Sequence, residues 1–138
     1  MCGELDEHVM IGQELLDRVR AMAKAMDLPQ AAGAGDAPQG LAEAEGRAAY
    51  MERVFQSGLA RALDDLGRAE ENETIDALAA QAIALARLAG YLAGQLPPEA
   101  DLFRAVVEAV TAGHAEPKST AEAWHDHHHH HGHSHEHH

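Results

Sequence analysis

From Ala77 to Pro98 the chain carries a single charged side chain, Arg87. A stretch so long and so apolar has two outlets, the middle of a helical assembly or the hydrocarbon of a bilayer. Its Ala, Gly and Gln content favours the first, because alanine contributes little to membrane insertion while it is the best helix former. Ile75, Leu78, Ile83, Leu85, Leu88, Leu92 and Leu96, with the alanines between them, cover most of the circumference. The expectation is a helix at the centre of a bundle or in a dimer seam, with no membrane partner.

The neighbouring segments carry the same helical period. Leu5, Val9, Leu15, Leu16, Val19, Met22 and Met26 recur at three- and four-residue spacing and predict a first helix over Glu4 to Met26. The segment from Asp27 to Gly40, DLPQAAGAGDAPQG, mixes proline, glycine and small residues and predicts a flexible loop. A second helix is expected from about Leu41 to Ala69, with Tyr50, Met51, Val54, Phe55, Leu59, Ala62, Leu63 and Leu66 inward. Its outward set is Arg47, Glu52, Arg53, Arg61 and Asp65. Glu70 to Thr74 makes a break where Asn72 or Thr74 can accept backbone donors, and the third helix follows to about Gln95. Pro98, Glu99 and Asp101 predict the start of a fourth helix with an apolar stripe of Leu102, Phe103, Val106, Val107 and Val110. Gly113 is expected to end it, with His114 as a cation at its carboxyl terminus.

The predicted fold class is therefore all-α. An antiparallel three- to four-helix bundle is expected over residues 1–113, with a flexible loop at about 27–40 and a disordered histidine-rich tail over 114–138. Aromatic residues are scarce at 4%, so buried volume has to come from Leu, Ile, Val, Met and close helix contacts at Ala. The spacing of Met10, Met22, Met26 and Met51 is that of core filler and not of soft copper ligands.

Charge narrows the partners. Ten Lys and Arg against 23 Asp and Glu leave a formal charge of -13, which opposes attraction to phosphate backbones and excludes nucleic acid as an expected partner. The first twenty residues are broken by Glu4, Asp6, Glu7, Glu14 and Asp17, unlike a secretory signal, so a cytoplasmic protein is expected. A single cysteine, Cys2, forms no internal disulfide.

The chemistry lies in HDHHHHHGHSHEHH, the last fourteen residues, ten of them histidine: His125, His127, His128, His129, His130, His131, His133, His135, His137 and His138. Neutral imidazole suits nickel, copper, zinc and cobalt and is little used by magnesium or calcium. Pairs a few residues apart can close many overlapping chelates, and Gly132 and Ser134 keep the backbone loose between them. Such a run gives several exchangeable sites instead of one shaped site, because ordering a free chain costs about 1 to 2 kcal/mol per residue. Asp126 and Glu136 add oxygen ligands or accept imidazole N–H bonds. The interruptions by Asp, Gly, Ser and Glu differ from an unbroken purification tag.

This tail resembles the histidine-rich ends of bacterial nickel-handling proteins. Those are the hydrogenase and urease accessory GTPases, the metal-binding peptidyl-prolyl isomerase, and the small histidine-tailed nickel chaperones of carbon monoxide dehydrogenase maturation. The resemblance covers about the last tenth of the chain. It implies storage of nickel, or its delivery to a metalloenzyme or maturation factor, with zinc, cobalt or copper as alternatives. No GxxxxGK[ST] loop occurs and the body reads as helical, so of these only the small helical chaperone remains a fair analogue.

A second metal site is offered by Cys2 and His8. If Met1 is removed, amine, thiolate and a backbone nitrogen can hold nickel or copper in a square plane. A frayed terminus with an inert cysteine and a core-edge histidine is the reading set against it. Asp64, Asp65, Glu70, Glu71 and Glu73 lack the Glu-x-x-His pairs of di-iron bundles and read as solvated helix ends. No catalytic constellation is recognisable, so the expectation is a metal-binding protein and not an enzyme, possible homodimer contacts lying in helix three or four. The alternative is a helical adaptor or regulatory interaction module whose tail is incidental.

Overall fold

A computed structural model describes residues 2–29 and 37–116, with side chains from Glu7 onward. The class is all-α, and no strand occurs among the described residues. α1 is Cys2–Ala25, α2 is Ala44–Arg68 and α3 is Thr74–Ala93, with 3-10 turns at Glu71–Glu73 and Pro98–Ala100. A fourth helix, α4, occupies residues 102–116. The chain divides into two compact units, residues 1–86 and 87–138, with the division inside α3.

In the first unit the ends of the helices are set by backbone bonds. Asp27 takes a left-handed conformation at φ 54°. Its N–H donates to Lys24 at 3.0 Å and that of Leu28 donates to Ala23 at 3.0 Å, which caps the last carbonyls of α1. α2 begins at Ala44, three residues after the expected Leu41. The intervening residues curl into a turn in which the N–H of Glu43 donates to Gly40, 3.1 Å away, and Arg47 Nη1 donates to the carbonyls of Leu41 and Ala42, both at 3.0 Å. Gly46 sits against the Gly40 carbonyl, where any Cβ would collide with backbone. Arg53 lies over the Tyr50 ring, 5.5 Å from its centroid.

Between α2 and α3 the chain doubles back through the turn at Glu71–Glu73. Thr74 does not accept a backbone donor there, as the sequence suggested; its hydroxyl donates to the Glu70 carbonyl at 3.3 Å. The reversal brings Gln81 Nε2 to the Ala62 carbonyl, 3.4 Å away. Around that bond Ala62, Asp65, Leu66, Ala69 and Ala77 are half-buried.

The expected inward set of α2 is only partly covered. Tyr50, Ala62 and Leu66 are half-buried, whereas Met51, Val54, Phe55, Leu59 and Leu63 are exposed. Met10, Met22 and Met26 are exposed as well, so, with Met51, these methionines fill no core among the described residues. In α1 the half-buried positions are Leu15, Val19 and Ala23. An apolar stripe shows which side of a helix seeks cover, and here most of that side finds none among the described residues.

The second unit holds the end of α3, a proline turn and α4. The N–H groups of Gly94, Gln95 and Leu96 donate to Gly90, Leu92 and Ala93 at 3.0, 3.1 and 3.4 Å and unwind α3 into the turn. α4 starts at residue 102 and not at Pro98. Pro98–Ala100 forms its own 3-10 turn, and Asp101 at φ 53° reverses the backbone before the helix can begin. The Asp101 carbonyl then accepts the N–H of Ala105 at 3.4 Å, as the residue before a helix does. Gly113 does not end α4, which runs through His114 to residue 116; a glycine weakens a helix by about 1 kcal/mol but does not forbid it. Ala93, 6% exposed, is the one buried residue among those described, and half-buried Leu96, Leu102 and Val106 belong to the same unit. A groove of about 530 Å³ opens beside them, lined by Gly90, Ala93, Gly94, Leu96, Leu102 and Phe103 among others.

Candidate metal centre

The ten tail histidines, His125, His127 to His131, His133, His135, His137 and His138, lie outside the described residues, as do Asp126 and Glu136. The expected flexible loop at about 27–40 is described only at its two ends, residues 27–29 and 37–40. Pairing of donors in the tail therefore rests on spacing alone. Histidines one to four residues apart can share a metal once the backbone bends to suit, and ten of them provide overlapping choices.

The second candidate pair is placed by α1. Cys2 opens this helix and His8 is an exposed position on it. Six residues of α-helix set the two backbone positions about 9 Å apart along the axis and about 120° apart around it. Regular helix thus separates them, and joint ligation requires the first turn to unwind. Among the described residues no group of three or more His, Cys, Asp or Glu side chains is gathered as a metal site.

His114 is exposed within the last described turn of α4, where a cationic imidazole complements the helix carboxyl end. The acidic residues near the α2 terminus face solvent except for Asp65, which is half-buried. Arg68 Nη2 reaches Asp64 Oδ2 at 2.9 Å and Asp65 Oδ1 at 3.0 Å, and Glu70, Glu71 and Glu73 are exposed. This is the arrangement of solvated helix ends, with Arg68 also serving the negative end of the α2 dipole.

Two features of the body escaped the sequence reading. One is the groove beside Gly90, because the segment PPEAD has the composition of a helix start but folds as a proline turn closed by left-handed Asp101. The other is the exposure of α3: Ile75, Leu78, Ile83, Leu85, Leu88 and Leu92 are all open to solvent in the single chain. The stretch Glu71–Ala93 is long and apolar enough to cross a membrane by length and composition. Comparison with protein-family models, with curated proteins and with solved structures yields no match to this chain.

Proposed function

We propose that the chain is a cytoplasmic metal-binding protein whose tail buffers, stores or delivers nickel or a similar divalent transition ion. The observation that carries this reading is the density of imidazole, ten histidines in the last fourteen residues. Imidazole selects borderline transition metals over hard cations, and closely spaced donors raise the effective concentration of the next ligand. Nickel stands first by resemblance to histidine-tailed nickel chaperones, with zinc, cobalt and copper behind it. In this reading the helical body, completed as an antiparallel bundle, recognises the metalloenzyme or maturation factor that receives the ion, and no catalytic step belongs to the chain. Equilibrium dialysis against nickel tests it, comparing the full chain with a version ending at Trp124. The full chain should bind several ions and the shortened chain few or none; equal binding by the two overturns the reading.

The exposed apolar faces of α2 and α3 favour a second reading, a helical adaptor whose tail is incidental to function. It predicts partner capture unchanged when the tail is removed and a chelator is present.

A further inference from the structure

The sides of α3 are unequally used. On one side Ala77 and Gln81 are half-buried where Gln81 meets α2. On the other, Ile75 and Ile83 are 83% and 72% exposed, the two most exposed large apolar side chains among the described residues. Ala79, Ala82, Ala86 and Gly90 share that side, and the six positions span about 100° of the circumference of one uninterrupted helix. Asp76 and Arg87 edge the same face. Eleven residues apart, they lie about 20° from each other around the axis and about 16 Å along it. Neither forms an ion pair among the described residues.

We propose that this face pairs with a second copy of the chain, the two α3 helices running antiparallel about a twofold axis beside Gln81 and Ala82. In that register Asp76 of each copy stands opposite Arg87 of the other, twice by symmetry. Ile75 of each copy meets the small residues Ala86 and Gly90 of the other, so a large side chain is set against a shallow hole at both ends.

A parallel pair would leave Asp76 and Arg87 of one copy on the opposite edge of the seam from those of the other and set Ile75 against Ile75, losing both matches. The whole chain carries -13, yet α3 carries one acid and one base, so this face is locally neutral and adds nothing to the repulsion between two copies. A bilayer around α3 would leave Asp76 and Arg87 without partners, at a cost of a kind membrane helices avoid. An apolar strip exposed from Ile75 to Ala86, with half-buried Gly90 at its end, is the kind of surface that marks an interface. The proposal is independent of metal binding by the tail.

Sedimentation equilibrium of the full chain, with a chelator present so that metals cannot bridge tails, tests the pairing. A dimer is expected. Asp76→Arg or Arg87→Asp alone should raise its dissociation constant about tenfold, since each creates two like-charge contacts. The double variant Asp76→Arg with Arg87→Asp should return to the starting value, which a general loss of folding would not do. Ile75→Glu should leave a monomer at concentrations where the unaltered chain pairs. A chain that is monomeric throughout overturns the proposal, as does a dimer indifferent to all four changes. A monomer that floats with neutral lipid vesicles also overturns it and assigns the same face to a bilayer.

Discussion

Gln81 in α3 donates its side-chain amide to the carbonyl of Ala62 in α2 across 3.4 Å, a bond between residues nineteen positions apart. It sits among half-buried neighbours and ties the two helices near their shared turn. Gln81→Ala should lower the stability of the α2–α3 hairpin by about 0.5–1 kcal/mol, the net worth of such a bond. Thermal and urea melts followed by circular dichroism measure the change; an unchanged midpoint removes the bond from the account of stability.

Two glycines of α2 should respond with opposite sign. A Cβ at Gly58 meets open space, so Gly58→Ala trades an unfavourable helix residue for the best one and should stabilise by about 0.5–1 kcal/mol. A Cβ at Gly46 collides with the Gly40 carbonyl, and Gly40 itself has φ +67°. Gly46→Ala should therefore destabilise, by about 1–3 kcal/mol if the turn holds its shape. The pair is read from the same melts, and a stabilised Gly46→Ala would show that the 40–46 turn opens freely.

Arg68 bridges Asp64 and Asp65 on an exposed surface, with 72% of its own side chain accessible. Such pairs contribute little and are screened by salt. Arg68→Ala should cost about 0.5 kcal/mol in dilute buffer, including the lost dipole complement, and the difference should shrink in molar salt. A deficit that persists at high salt points to lost packing of the arginine stem.

Metal binding by the tail should follow imidazole ionisation. A histidine binds metal only when neutral, and an unperturbed imidazole titrates at about 6.5. Nickel capacity should therefore be full well above that pH and fall as acid protonates the ligands, with most of it gone by about pH 5. Dialysis at a series of pH values provides the curve. Capacity retained at pH 5 would point to carboxylate ligands instead.

The helices of the first unit were legible because apolar spacing repeats every three to four residues, and α1, α2 and α3 fall within a few residues of where that spacing puts them. The start of α4 was not. Pro98 suits the first turn of a helix, but Pro97 precedes it and Asp101 turns left-handed, a conformation that sequence seldom announces outside glycine. Gly113 misled in the other direction, since neighbours that favour helix outweighed its single penalty. The cover over each apolar face was illegible for a deeper reason. Periodicity identifies the side of Phe55 or Ile83 that avoids water, but it carries no information on whether the covering surface belongs to the same chain. The proposed metal role of the tail rests on composition alone, whereas the 9 Å of helix between Cys2 and His8 became visible only once α1 was placed.

The Arg53 guanidinium 5.5 Å from the Tyr50 centroid gives one of the two tyrosines a charged cover, while Tyr91, the other, is half-buried in α3. Phenol light therefore reports on helices. The single indole, Trp124, adjoins His125 and absorbs further to the red. Excitation at that edge addresses the histidine run alone, where a paramagnetic ion such as nickel or copper would quench it, while shorter wavelengths also sample the body. The molecule thus carries two native optical channels, one for each half of its proposed division of labour, and neither requires an added dye.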